Sequence, residues 1–275
     1  MRHALPTVLA IGALTPAALA QEAINTPAAT QPGAGRLVTR FQLSIREFGH
    51  DPTGEDRSGR DITLRTIAAV GLTGDLSLEA RTTAVQRDNF SGPSPGSAGL
   101  WGETDLTLKW RAWKRDLGPV DTMRLSLLAG AEFPTGTGGM SSHSVDPIFG
   151  AVFTGIFGRH GINQAARYKL TTGDLADPLY AGESLADAIL LDTAYLFRLA
   201  PARYQADTQG AWYAVLELNT AIETNADVEL LLGPGILYEG RRIALEAGVQ
   251  LPVYQDLHHR PETEWAVTLG IRFLF

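Results

Sequence analysis

Apolar residues recur at every second position through most of this chain. In the last segment Trp265, Val267, Leu269, Ile271 and Phe273 fall on one face, and mostly polar or small residues fall on the other. Such alternation is typical of a β-strand with two chemically different faces. The pattern repeats and predicts strands over 36–47, 60–71, 75–87, 102–114, 121–133, 147–158, 162–172, 185–198, 211–222, 227–238, 242–254 and 263–275.

The predicted strands are long, and the connections between them alternate in length. A strand of about 11 to 14 residues exceeds the usual length in soluble sheets and suffices for a tilted strand to cross a bilayer. Long connections rich in Gly, Pro, Ser and Asp alternate with short ones, as external loops and periplasmic turns do in outer-membrane barrels. Two connections depart from this pattern, because 199–210 is long and 223–226 is short, and they leave the strand count there open.

The face opposite the apolar one carries ionisable residues in most strands. Turning an Arg or Lys to the bilayer midplane costs about 2–4 kcal/mol, so Arg65, Arg81 and Lys109 together would cost of order 6–12 kcal/mol, comparable with the stability of a domain. These charges are therefore predicted to face a lumen. The fold class predicted is all-β: an antiparallel transmembrane (outer-membrane) β-barrel of about twelve strands. A soluble β-sandwich with its charges outside is the alternative that the alternation permits.

The first residues indicate the compartment. Residues 1–20 have a positively charged start, an apolar stretch and a small-x-small site at Ala20, which together predict a cleaved secretory signal peptide. A transmembrane anchor is the weaker interpretation, since two prolines interrupt the stretch. Residues 21–35 are rich in Pro, Gly and Ala and are predicted to be a disordered lead. Residues 36–275 are then a single barrel in the outer membrane of a Gram-negative bacterium.

Composition and the last residues of the chain restrict the classes of partner that the protein can bind. The chain has no Cys, which excludes disulfides, thiolate nucleophiles and Cys-based metal sites, and its net charge of -7 comes without a basic block for nucleic acid. The last strand ends on the aromatic Phe275, which the barrel-assembly machinery is expected to recognise as a closing strand. The expected partners are therefore outer-membrane lipid, lipopolysaccharide and a small-molecule solute, with no nucleic acid, no cofactor and a monomeric barrel.

Several local motifs occur in a fixed order from about residue 60 to the end of the chain. In this order and spacing they resemble the outer-membrane transporter family named for the MetA pathway of phenol degradation. The resemblance implies uptake of phenol-like aromatic compounds across the outer membrane, and it implies no catalytic or binding residues. The motifs are Gly102-Glu-Thr-Asp-Leu-Thr-Leu108, Phe133-Pro-Thr-Gly136, Asp146-Pro-Ile-Phe-Gly150, Leu216-Glu-Leu-Asn219, Gly233-Pro-Gly235 and Gly248-Val-Gln-Leu-Pro-Val253.

The inward charges are the candidate pore-lining residues. A basic strip and an acidic strip are expected to face each other across the lumen and to orient dipolar solutes. Many of these charges are expected instead to pair and to rigidify the barrel. The basic residues are Arg65, Arg81, Lys109, Arg124, Arg167 and Lys169, and the acidic ones are Glu217, Glu229 and Glu246.

The strand over 147–158 is apolar on both faces. Inward Phe149 and Phe153 would offer a stacking surface to an aromatic solute and are added to the pore-lining candidates. The alternative is that this strand packs against an inward-folded loop or plug.

Polar loop residues raise two further hypotheses. Ser141, Ser142 and His143 would fit an outer-membrane enzyme that acts through its external loops. The pair His258-His259, and His50-Asp51 with Glu55 and Asp56, would fit cation sites. No catalytic motif accompanies them, so no catalytic, cofactor-binding or metal residue is assigned. The function predicted is passive passage of small solutes, aromatic or hydrophobic by resemblance; a surface enzyme and a closed structural barrel are the alternatives.

Overall fold

A computed structural model describes residues 21–137, 140–173, 179–180, 182, 185–205 and 207–275. The predicted signal peptide lies outside the described residues. Within them no helix has both the length and the apolar character needed to cross a bilayer. The described strands are β1 (Leu37–Phe48), β2 (Ser58–Gly71), β3 (Leu76–Ser91), β4 (Gly96–Trp101), β5 (Thr104–Asp116), β6 (Thr122–Phe133), β7 (Asp146–Phe157), β8 (His160–Lys169), β9 (Ala188–Ala200), β10 (Gly210–Glu223), β11 (Val228–Gly240), β12 (Ile243–Asp256) and β13 (Thr263–Leu274).

The strands form one antiparallel sheet that closes on itself. Sequence neighbours pair in turn, β1 pairs with β13, and the pairing of β2 with β3 completes the circle. β4 shares one position in the wall with β5, because β4 pairs with the second half of β3 and β5 with the first half. The wall therefore has twelve strand positions, which confirms the predicted fold class.

The two ends of the barrel carry different connections. The described residues of the segments 49–57, 134–145 and 170–187 lie at one end, which we call the long-loop end. Short turns such as 72–75 and 158–159 lie at the other, which we call the short-turn end. The strands before and after 201–209 and 224–227 pair as hairpins, so both exceptional connections keep the places that the sequence predicts for them.

Part of the predicted loop 88–101 is strand. β3 continues to Ser91 and the chain turns back into β4, which extends the wall at the long-loop end. Gly92 and Gly96 have φ values of 99° and 138° in this turn, a region of backbone conformation that glycine adopts without strain.

The two faces of the wall differ as the alternation predicts. Leu43, Leu64 and Leu108 are exposed on the outside, whereas Lys109 and Glu132 are buried inside. A closed ladder satisfies the backbone without water, so an apolar outer face is compatible with surrounding lipid. The soluble-sandwich alternative, which needs the opposite arrangement, is wrong.

Residues 21–33, which we call the inner segment, lie inside the barrel, so the prediction of a disordered lead is wrong. The segment enters from the short-turn end, where Ala34 bridges to Gly71 and the Gly35 N–H donates to the Gly71 carbonyl. Its residues Ala23, Ile24 and Ala29 are buried. The segment is ordered because side chains of the wall satisfy its backbone polar groups, as described below.

The outer face offers a direct test of the membrane-spanning arrangement. Leu108→Arg should lower the free energy of unfolding by about 2–4 kcal/mol, because it turns a charge toward the middle of the bilayer. Leu72 is similarly exposed but lies in a turn, so Leu72→Arg should cost about 0–1 kcal/mol. Denaturant titration of both variants in phospholipid vesicles measures the difference, and equal costs would contradict this placement.

Candidate functional site

A carboxylate on β10 holds the middle of the inner segment. Glu217 accepts hydrogen bonds from the Asn25 N–H at 2.9 Å, the Asn25 side-chain amide at 2.9 Å and the Thr26 N–H at 2.8 Å. Glu217 is almost fully buried. Hydrogen bonds to an ionised acceptor are stronger than neutral ones, so this contact is a principal anchor of the segment.

The opposite part of the wall holds the following turn of the segment. Lys109 donates to the Ala28 carbonyl at 3.1 Å, and Ser126 donates to the Ala29 carbonyl at 3.1 Å. The Ala29 N–H in turn donates to the Thr154 hydroxyl at 2.8 Å. Three further strands, β5 to β7, thus bind the backbone of the segment.

A cluster of four charged residues joins the segment to the strands at the chain ends. We call Glu22, Arg40, Glu246 and Arg272 the seam cluster, because Arg40 lies on β1 and Arg272 on β13, which pair directly. Arg40 and Glu246 are 2.8 Å apart, and Arg272 lies 3.3 Å from both Glu22 and Glu246. Arg40 also donates to the carbonyl of Ile24 at 2.7 Å.

Small residues in the wall make room for the segment. A Cβ atom added at Gly248 would lie 2.8 Å from the Ile24 side chain, and one at Gly235 would meet the same group. Ala194 and Ala211 are fully buried against Ala23 in one apolar cluster. Small inward residues on adjacent strands are the one sequence signal of a filled lumen, and the predictions above did not use it.

A cavity of about 360 Å³ lies in the lumen on the long-loop side of the inner segment. Glu22, Ile24, Asn25 and Pro27 of the segment form its floor. Its walls come from strands around the barrel, and Tyr180 reaches it from the long connection 170–187. The lining mixes charged, hydroxyl and aliphatic side chains, so the site can hold water, ions or a small organic molecule.

The structure brings most of the predicted basic residues to this cavity. Arg65, Arg81, Lys109, Arg167 and Lys169 all line it. Three of them form ion pairs, with the partners Asp105 for Arg81, Asp192 for Arg167 and Glu132 for Lys169.

Arg124 is the exception among the predicted basic residues. It lies near the start of β6 at the short-turn end and does not line the cavity. The inclusion of Arg124 in the predicted basic strip is therefore wrong.

The predicted acidic strip is not a free surface. Glu229 lines the cavity and accepts a hydrogen bond from the Thr263 hydroxyl at 2.7 Å. Glu217 instead binds the inner segment, and Glu246 belongs to the seam cluster. The two carboxylates thus anchor the structure that closes the lower lumen.

The acidic residues at the cavity are not those of the predicted acidic strip. We call Glu103, Asp105, Glu132 and Asp146, which all line the cavity, the acidic wall. Asp105, Glu132 and Asp146 occupy directly opposed positions on β5, β6 and β7. Carboxylate oxygens of Glu103, Glu132 and Asp146 lie within 4.8 Å of one another, the one such group found among the described residues. The strand register brings Asp105, Glu132 and Asp146 together, and Glu103 lies directly before β5.

Protein groups already bind this acidic wall. Lys169 pairs with Glu132, Ser142 donates through its N–H and hydroxyl to Glu103, and Thr172 donates to Asp146. These carboxylates therefore have partners from the protein itself, without a metal ion.

The prediction that Phe149 and Phe153 line the pore is wrong. Phe149 is 54% exposed on the outer face, and Phe153 points to the same side by strand parity. Val152 faces inward instead and packs with Ala29 of the inner segment. The inward and outward faces of β7 are the reverse of those predicted. Lipid accommodates the larger aromatic rings, whereas the filled lumen leaves room only for aliphatic side chains. The alternative, packing against a plug, describes this strand.

The polar loop residues make local contacts. His143 Nδ1 lies 3.1 Å from the Ser141 carbonyl, and the Ser142 hydroxyl donates to Glu103. Among the described residues, no serine hydroxyl is hydrogen-bonded to the imidazole of His143. His259 Nδ1 lies 3.0 Å from Asp227, which also pairs with Arg260. These contacts do not converge on a shared substrate position.

The predicted cation site at 50–56 is a folded turn. Burial alone would raise the pKa of Asp51, but hydrogen bonds from Arg57 and Thr53 hold that pKa well below its usual range. The Arg57 guanidinium lies 2.8 Å from the carboxylate. Asp51 is thus committed to closing its own loop.

The Glu217 anchor can be tested by amide exchange. Glu217→Gln removes the ionised acceptor, and loss of a hydrogen bond to a charged group is worth about 1.5–3 kcal/mol. Exchange at the Asn25 and Thr26 amides should therefore rise about tenfold or more, as measured by hydrogen–deuterium exchange. Glu229→Gln is the matched control, since Glu229 binds Thr263 and not the segment. Equal protection in the two variants would show that Glu217 does not anchor the segment.

Three solved structures are similar to this chain. An outer membrane channel from Pseudomonas putida F1 has a TM-score of 0.56 at 12% identity, covering 88% of this chain and 96% of that chain. The β domain of the Bordetella autotransporter Brka has a TM-score of 0.48 at 13% identity, covering 88% and 100%. The translocator domain of the autotransporter NalP from Neisseria meningitidis has a TM-score of 0.47 at 13% identity, covering 88% and 89%.

No protein-family model matches the chain, and no curated protein matches it in sequence. The similarity to the first structure shows the fold, that of an outer-membrane β-barrel. Together with the apolar outer face described above, this fold places the chain in the outer membrane.

Proposed function

We propose that this chain is an outer-membrane channel for passive passage of small solutes. The observation that carries the proposal is the charged cavity enclosed by a closed barrel whose outer face is apolar. Such a site selects by size and lumen charge and needs no chemical step or cofactor. The similar structure from Pseudomonas putida F1 is itself described as an outer membrane channel, which supports the same role here.

The inner segment is the main obstacle to passage in this proposal. It forms the floor of the cavity and separates it from the short-turn end. Its contacts are mainly with side chains of the wall, so the segment can shift without breaking a strand ladder. A solute that enters from the long-loop end therefore passes when the segment moves aside or leaves a path along the wall.

We further propose that the solutes are small aromatic or other hydrophobic compounds. The resemblance to the phenol-degradation transporter family is one support. The other is that Ile67, Val85, Leu128 and Ile148 contribute aliphatic surface to an otherwise polar cavity. A solute with an apolar body and one polar group matches such a lining.

A closed structural barrel is the second candidate. The observation in its favour is the inner segment, which is held by hydrogen bonds on several sides of the lumen. Conductance separates the two candidates, because a closed barrel passes no ions.

Removal of the inner segment should open the lumen. Deletion of residues 22–32 is expected to raise single-channel conductance several-fold in planar bilayers, since it removes the floor of the cavity. Deletion of the exposed loop residues 53–55 is the control and should leave conductance unchanged. If the full chain does not conduct, the closed-barrel candidate replaces the channel, whether or not the deletion variant conducts.

Solute preference can be measured by uptake into proteoliposomes. Benzoate or a phenol sulfonate should enter faster than a sugar of similar mass, relative to vesicles without protein. Equal rates for aromatic compounds and sugars would contradict the aromatic preference but would be consistent with a channel. Absence of uptake for every solute would contradict the channel itself.

A further inference from the structure

Two arginines at the cavity differ from the other cations there. Arg40, Arg81, Arg167 and Lys169 each pair with a carboxylate, and Lys109 donates to carbonyls of the inner segment. Arg65 and Arg46 also line the cavity, but neither forms an ion pair or a hydrogen bond with any described residue.

Arg65 lies in a cradle of polar side chains from three strands. On β3 its direct partner is Thr83, and on β1 it is Gln42. Thr63 lies two residues away on the same face of β2, and both threonines line the cavity. Their hydroxyl groups can donate hydrogen bonds to an atom held by the guanidinium.

Arg46 lies on the same side of the lumen, nearer the long-loop end. Its guanidinium carbon is 5.4 Å from the centre of the Tyr180 ring, which contacts it from the loop. No described residue accepts a hydrogen bond from the Arg46 guanidinium, which contacts the face of this ring. The entrance and the wall of the cavity thus present unpaired positive charge along β1 and β2.

From this arrangement we infer that the cavity binds a small monocarboxylate, with its carboxylate on Arg65. A guanidinium presents two parallel N–H donors that match the two oxygens of a carboxylate. Arg65 is half-buried, and a bound anion offsets the partial loss of solvent around its guanidinium. Arg46 is the first contact for the entering anion.

The rest of the cavity restricts which anion binds. Arg81 and Lys169 already pair with Asp105 and Glu132 of the acidic wall, so neither cation is available to a second negative charge on the anion. A monoanion is therefore favoured over a dicarboxylate or a phosphate dianion. Ile67 and Val85 flank Arg65 and Thr63 on the same faces of β2 and β3 and give an apolar body a surface to contact.

This inference names the solute class of the proposed channel, and its role in transport rests on that proposed function. Binding is measured separately from passage, so the two fail separately. Flux without saturable carboxylate binding would overturn the inference and keep the channel. Saturable binding without conductance would keep the site and overturn the channel.

The test is calorimetric titration of the detergent-solubilised full chain with benzoate. Saturable binding is expected, weakened about tenfold or more in Arg65→Gln and to a smaller extent in Arg46→Gln. Arg60→Gln is the matched control, because Arg60 pairs with Glu47 and does not line the cavity. It removes the same charge and should bind benzoate as the unaltered chain does.

Three further results decide the chemistry. Benzyl alcohol, the uncharged analogue, should bind at least about tenfold more weakly than benzoate, and equal affinity would overturn the inference. Preferential binding of inorganic phosphate would overturn the assignment to a monocarboxylate. Arg65→Lys keeps the charge but loses the paired donors, so it should bind more weakly than the unaltered chain. Full affinity in Arg65→Lys, or in Arg65→Gln, would overturn the placement of the carboxylate.

Discussion

Charge compensation inside a wall surrounded by lipid is the constraint on which the rest of the structure depends. Lipid supplies no hydrogen-bond partner, so the backbone must close into a complete ladder and the ionisable side chains must face inward. Once inside, they need partners. Arg40, Lys109 and Glu217 find them on the backbone or side chains of the inner segment. The filled lower lumen and the open upper cavity both follow from how these charges are satisfied.

The strands could be predicted because two local signals agreed. The alternation indicated which residues share a face of each strand, and the cost of a charge in lipid indicated which face points outward. Leu108 and Lys109 are an example, because they are neighbours in sequence and lie on opposite faces. The β7 strand shows the limit of that reasoning. Phe149 and Val152 are both apolar, so no charge fixes which face is outside, and the phase was settled by space in the lumen.

The inner segment and the acidic wall could not be predicted from local pattern. Residues 21–33 have no periodicity, and their order comes from partners far along the chain, such as Glu217. Asp105, Glu132 and Asp146 are each ordinary inward residues of separate strands, and only the register makes them neighbours. In the same way, the lack of a partner for Arg65 among the described residues is a property of the assembled lumen and not of its sequence neighbourhood.

The seam cluster has a consequence for how the barrel assembles. The ladder between β1 and β13 joins strands from the two ends of the described chain, so its closure carries the largest loss of chain entropy. Glu22 contacts Arg40 on one side of this joint and Arg272 on the other. The inner segment therefore bridges the two strands of the last ladder through Glu22. A barrel that closed without enclosing the segment would leave Arg40 and Arg272 with one carboxylate fewer. Filling of the lumen therefore stabilises the closed wall at its last ladder, while Glu246 remains a partner of both arginines when the segment is absent.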